Sequence, residues 1–134
     1  MYYSYPVVVP ANTLESAPVV TNIKLTAGVI HRIECVFPPG CQGMVHLAIS
    51  HEGTQQWPET HGSSFAAEDF TIVIDDRYEL PADINELVAL AWSPGTSYPH
   101  TLTVRVGVLP KEVFEPQSAL STGLNKLLQL IGVK

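Results

Sequence analysis

Charge is scarce in this chain, and positive charge is scarcest. Only 15% of its 134 residues are charged, thirteen acids against seven bases, for a formal charge of −6. A protein that grips a phosphate backbone needs clustered Lys and Arg, so no nucleic-acid partner is expected. Long apolar runs are missing too. No stretch approaches the roughly 20 residues needed to cross a bilayer, and Met1–Pro10 has neither the basic region nor the apolar run of a signal peptide. The expectation is a soluble protein with no membrane partner, located in a cytoplasm or a virion. Cysteine is limited to Cys35 and Cys41. A bridge there would close a very short loop, worth about 2 kcal/mol, but cytosolic synthesis favours two free thiols. Two cysteines at this spacing do not make a zinc site. There is no glycine-rich phosphate loop and no Gly-x-Ser-x-Gly nucleophile turn. No internal repeat or low-complexity tract is present.

Proline and glycine, by contrast, are frequent, eleven and nine residues, and 46% of the chain is apolar. That composition suits one domain of short strands joined by tight turns. Val19–Thr26 alternates with period 2, and Ala27-Gly28 then reads as a turn that pairs the next run back as a hairpin. In that run Val29, His31, Ile33, Cys35 and Phe37 share one face. Val45, Leu47 and Ile49 point inward with His46 outward. A short strand fits Gln55–Trp57, and Phe70, Ile72 and Ile74 mark another. Leu87–Trp92 is nearly continuous apolar, as in a strand buried on both faces. Thr101–Leu109 is the clearest alternation. The fold class is therefore all-β: an antiparallel β-sandwich of about eight strands, jelly-roll-like rather than immunoglobulin-like, because the long 51–67 excursion resembles a crossing connection and no Cys…Trp…Cys pattern occurs.

Five histidines raise the question of a metal. His46 with His51-Glu52 comes nearest to a cupin-type set, but residues 46 and 51 have opposite parity on one strand. His31 reads as a hydrogen-bonded core or interface side chain, and His61 and His100 as loop residues. A histidine site shared across a symmetry axis stays open. Asp75-Asp76 with Asp83 offers oxygen ligands for calcium, against the simpler reading of a solvated turn. No catalytic, cofactor or metal residue is assigned, and the chain is expected not to be an enzyme.

Aromatic residues are the better lead. Trp57, Trp92 and Tyr98 fall in or beside expected loops, where they suit either core packing or a sugar-stacking platform. Tyr2, Tyr3 and Tyr5 form an aromatic arm before the sandwich, expected to be interface residues that reach another subunit. The tail is unlike the rest: Leu120, Leu124, Leu127, Leu128 and Ile131 fall on one stripe of a short helix, marginal alone in water and in need of a docking surface. That surface is either its own domain or a neighbour. The expected organisation is an arm over 1–17, a sandwich over 18–110, a linker over 111–117 and an amphipathic helix over 118–134.

Phe37-Pro38-Pro39-Gly40-Cys41-Gln42-Gly43, Trp57-Pro58 and Ala91-Trp92-Ser93-Pro94-Gly95, continuing through Tyr98, His100 and Val104-Arg105-Val106, give residues 19–110 a resemblance to small sandwich proteins of phage and prophage structural genes. The resemblance implies a virion component, a capsid decoration or accessory subunit, with a trimer favoured and a particle lattice as partner. It implies no catalytic residue. The alternative is a carbohydrate-binding or attachment module using Trp57, Trp92 and Tyr98.

Overall fold

A computed structural model describes residues 1–114. It contains eight strands, β1 (Tyr2–Val9), β2 (Val19–Lys24), β3 (Gly28–Phe37), β4 (His46–His51), β5 (Thr54–Trp57), β6 (Phe70–Leu80), β7 (Glu86–Trp92) and β8 (His100–Leu109), then a four-residue helix α1 (Lys111–Phe114). The tail helix expected over 118–134, with Leu120, Leu124, Leu127, Leu128 and Ile131, lies outside the described residues.

The strands form two four-stranded sheets, β1-β8-β3-β6 and β2-β7-β4-β5. Every pairing is antiparallel. The pairs β1:β8, β2:β7, β3:β6 and β4:β5 are those of one long ribbon folded back on itself at the β4–β5 turn. Rolling that ribbon adds β3:β8 and β4:β7 and closes a jelly roll, as expected from the sequence. Every connection except β4–β5 passes from one sheet to the other, and that from β5 to β6, residues 58–69, overlaps the expected long excursion.

The core lies between the sheets. Leu102, Val104, Val106 and Val108 of β8 are fully buried, facing Leu87, Ala89 and Ala91 of β7 and Leu47 and Ile49 of β4. The outer face of β7, Val88, Leu90 and Trp92, is only half-buried, so this strand is not covered equally on both sides.

Three expectations change. The Ala27-Gly28 turn does not make a β2–β3 hairpin, because β2 pairs with β7 and β3 lies in the other sheet. The two-residue hairpin turns need positive φ at the first central position, type I′ at both, and here Gly28 has it while Ala27, the first of the pair, does not. A Cβ on Gly28 would stand 2.5 Å from the Leu109 carbonyl oxygen, so the chain turns between sheets against the end of β8. Second, the alternation of β3 breaks. Ile30 and Arg32 pair with the adjacent residues Val108 and Gly107 of β8, leaving His31 as a bulge. Beyond it the parity flips, so Ile30 joins Ile33, Cys35 and Phe37 in the core while His31 sits half-buried with its ring edge-on to Tyr2. Gly107 makes room for it, since a Cβ there would lie 2.6 Å from His31 Nε2.

Third, the arm is not outside the sandwich over Tyr2–Val9, which is an edge strand in register with β8 from Tyr2 opposite Gly107 to Val9 opposite His100. Tyr3, Tyr5, Val7 and Val9 turn inward, the last two completely buried. Pro6 obscures the strand in the sequence. It is tolerated because Met1 and Val108 exchange both backbone hydrogen bonds. Every second residue from there, Tyr3 to Val9, also bonds β8, so Pro6 falls where an N–H would face away from it.

Candidate functional site

The side chains singled out in the sequence are dispersed. Trp57 closes β5 and is 3% exposed. Its indole N–H donates to Asp76 Oδ2 at 2.9 Å, and its ring meets Tyr78 edge-on at 5.0 Å. Tyr78 also meets His51, with its hydroxyl 2.7 Å from His51 Nδ1. His51 Nε2 is 2.9 Å from the Ile84 carbonyl, which only accepts, so Nε2 carries the proton and Nδ1 accepts from Tyr78. Burial, then the charges of Glu52 and Asp76, push the Tyr78 hydroxyl up and hold it as a donor. These residues join β4, β5, β6 and the β6–β7 turn. Trp57 therefore packs the core and offers no stacking surface.

Trp92 is half-buried on the outer face of its sheet, stacked on His46 with ring centroids 5.7 Å apart. His46 Nδ1 in turn lies 2.9 Å from Ser64 Oγ. Tyr2, Tyr3 and Tyr5 all reach intrachain partners: Tyr2 donates to Glu34 Oε1 at 3.2 Å, Tyr3 Oη sits 2.9 Å from Thr26 Oγ1, and Tyr5 donates to the Lys24 carbonyl at 2.6 Å. They tie β1 to its neighbours. Among the described residues no group of three or more His, Cys, Asp and Glu is placed to hold a metal ion. His46 and His51 turn to the separate partners given above, and Asp76 is committed to Trp57 and to the Arg77 backbone N–H. Cys35 and Cys41 are both free and buried.

Of the three aromatics read as a stacking platform, Tyr98 is the most presented, 52% exposed, and it stands over a concavity at one end of the sandwich. Two braces shape that end. The Glu68 carboxylate accepts from the Gly40 N–H at 2.6 Å and the Gln42 N–H at 3.2 Å, fixing the Pro38–Gly43 turn. Asn12 Oδ1 accepts from the Gly95 N–H at 2.8 Å, and the Asn12 N–H donates to Thr96 Oγ1 at 2.9 Å, joining the β1–β2 and β7–β8 turns. Between them lies a cavity of about 240 Å³ lined by Gly40, Gln42, Met44, Thr96, Tyr98 and His100, among others. The rings of Tyr98 and His100 are 4.6 Å apart and tilted by 43°. Replacing Glu68 with Gln removes the charge but leaves a carbonyl acceptor, so a loss of about 1 kcal/mol is expected in a denaturant titration.

Behind the cavity, Cys41 Sγ lies 3.9 Å from His100 Nδ1. Burial, then the Glu68 charge, push the Cys41 thiol up, so the pair is a neutral thiol beside an imidazole rather than a thiolate. The sequence hid this site because His100 reads as an isolated loop residue. The usable signal was Gly40 and Gly95, each in a turn with positive φ and each close enough that a Cβ would touch Tyr98 or Met44. A second cavity of about 280 Å³ lies at Ala27, Gly28, Glu79, Pro81 and Lys111, beside the end of the described chain, and no aromatic or histidine lines it.

No protein-family model matches this chain, and no curated protein does. Solved structures with a similar arrangement include FLHE, at 10% identity over 78% of this chain and 95% of that chain, with a TM-score of 0.39. PirA is 14% identical over 78% and 94% of the two chains, with a TM-score of 0.43. A disulfide-linked pilus of Bacillus endospore appendages is 11% identical over 81% and 88%, with a TM-score of 0.28. Likeness at this level carries no argument about function.

Proposed function

We propose that this chain is a non-enzymatic structural subunit that self-associates in a larger particle, as a capsid decoration or accessory protein of a phage virion, with a trimer as the assembly. The observation that supports this is the free edge of β1. The backbone groups of Tyr2, Ser4, Pro6 and Val8 point away from β8, and among the described residues no strand lies beyond. Monomeric sandwiches blunt such edges with charge, proline, brevity or bulges, and Pro6 removes one outward donor from this one. Here β6 carries Asp75, Asp76, Arg77 and Glu79, β5 has four residues, and β2 ends on Lys24. By contrast β1 runs for eight residues without a charge, with Pro6 as its sole interruption, and exposes Tyr2 and Val8. A second copy adding its own strand would satisfy those groups and bury these side chains. The tail leucines, outside the described residues, form a second contact set in this proposal.

Light scattering on the full chain should give a discrete oligomer. Ser4→Lys with Val8→Lys places two charges along the edge and should weaken association at least about tenfold, equivalent to about 1.4 kcal/mol. Leu124→Asp with Leu128→Asp separates the tail's share from the edge's. An oligomer unchanged by the lysine pair would refute the edge, and a full-length monomer at every concentration would refute self-association.

A further inference from the structure

We infer that the cavity between the β3–β4 and β7–β8 turns is a binding site for one neutral sugar unit, independent of the assembly proposed above. The argument starts from what lines it. Among the described residues no Lys, Arg, Asp or Glu lines the cavity, and the nearby Glu68 carboxylate is taken up by the Gly40 and Gln42 N–H groups, so neither a phosphate nor a cationic ligand would find a free counter-charge. What borders it is neutral and polar. His100 is 5% exposed and its Nδ1 is turned to Cys41. The Gln42 amide and the Ser97 hydroxyl are exposed and line the same space. Tyr98 Oη donates to the Gly40 carbonyl at 3.3 Å and keeps its lone pairs free to accept.

His100 lines the cavity, so its ring nitrogen Nε2 can exchange solvent for a ligand hydroxyl. Whether Nε2 is donor or acceptor depends on the His100 tautomer, that is, on whether Nδ1 accepts from the Cys41 thiol or donates to its sulfur. A hydroxyl group suits either state, because it donates and accepts. Beside these groups stand the half-exposed Tyr98 ring and the Met44 thioether, apolar surfaces for the C–H face of a pyranose ring. Size sets the limit. At about 240 Å³ the space falls below the roughly 300–1,000 Å³ of drug-sized ligand sites, so one ring fits and a chain of rings would have to extend outside. Gly40 and Gly95 keep it open, since a Cβ would come within 2.7 Å of Tyr98 Oη at the first and 3.3 Å of Met44 Cε at the second.

The two methionines provide the test. Met44 lines the cavity. Met1 bonds Val108 at the far end of β1, about 25 Å from the His100 end of the strand at the rise of an extended chain. Methyl-¹³C methionine spectra of the full-length protein would be titrated with methyl glucoside, methyl galactoside and N-acetylglucosamine, with inorganic phosphate as the anionic comparison. At least one glycoside should move the Met44 methyl in a saturable way and leave Met1 unmoved, and Tyr98→Ala or Gln42→Ala should weaken it at least about tenfold, equivalent to about 1.4 kcal/mol. Trp92→Ala should leave the titration unchanged. Galactomannan and dextran in affinity electrophoresis would show whether the unit is read free or at the end of a polymer, by the absence or presence of retardation. The proposal is overturned if no glycoside moves Met44, if both methyls move together, if phosphate replaces the glycosides as the ligand, or if both cavity variants titrate like the parent. None of these outcomes depends on the oligomeric state.

Discussion

Trp57→Ala is expected to lower the unfolding free energy by about 3–5 kcal/mol, the range for removing a large aromatic from a packed core. For a domain of this size that is a large share of an ordinary total of roughly 5–15 kcal/mol. Two losses combine. The ring sits 3% exposed among the ends of the sheets, and deleting it leaves a cavity against Tyr78. The Asp76 carboxylate also loses the indole N–H that it holds at 2.9 Å. Trp57→Phe separates these terms by keeping most of the ring and removing only the donor, for an expected cost of about 1.5–3 kcal/mol. Urea unfolding followed by far-ultraviolet circular dichroism measures both, with Trp92 fluorescence as a second probe. A loss below about 1 kcal/mol for Trp57→Ala would return Trp57 to the surface role that its place beside a Pro suggests in the sequence.

High pH should unfold the protein through Cys35. This thiol is fully buried between the sheets, and burial pushes it from 9.0 up to about 12. Below pH 9 it is protonated in both the folded and the unfolded chain and contributes no pH dependence. Above that, the unfolded chain gives up its proton while the folded chain keeps its own. Stability therefore falls with rising pH, by about 1.4 kcal/mol per unit, until pH reaches the folded value. Cys41 and Tyr78 are raised in the same direction and add to the slope. Cys35→Ala should start from lower stability because of its small cavity, yet lose less across the alkaline range. Denaturant titrations at intervals from pH 8 upward compare the two slopes, and equal slopes would remove Cys35 as their cause.

The jelly roll was legible where one strand's pattern was enough. Leu102, Val104, Val106 and Val108 of β8 alternate because one face meets the core, while Val45, Leu47 and Ile49 of the β4 run alternate in sequence although Ala48, Ser50 and His51 on that strand are buried as well, and the 51–67 excursion announced a crossing. What escaped depended on a partner. The bulge at His31 exists only because Arg32 pairs with Gly107, and no count along β3 itself shows that the parity changes there. Ala27-Gly28 carries the right residues for a hairpin, yet the carbonyl of Leu109, some eighty residues later, decides where the chain turns. Trp57 and Trp92 share a signature, an indole before or near Pro, and the structure buries the first among Tyr78 and Asp76 and leaves the second half-covered by His46. The candidate site was hardest of all to read. Gln42, Met44, Tyr98 and His100 come from two turns brought together by the roll, and none has a distinctive neighbour in the sequence.

The strand order also fixes when the molecule can fold. Of the four ribbon pairs only β4:β5 joins strands consecutive in the chain; β3:β6, β2:β7 and β1:β8 close progressively longer loops. β1 is made first and waits longest. Its first amide partner, Val108, lies 107 residues on, and closing so large a loop is slow. Until then an uncharged strand with both edges bare trails the emerging polypeptide, open to pairing with other nascent chains. β8, the last strand among the described residues, is not an end piece but the strand that stands between β1 and β3. A truncation that removed it, at or before His100, would thus take the middle out of a sheet.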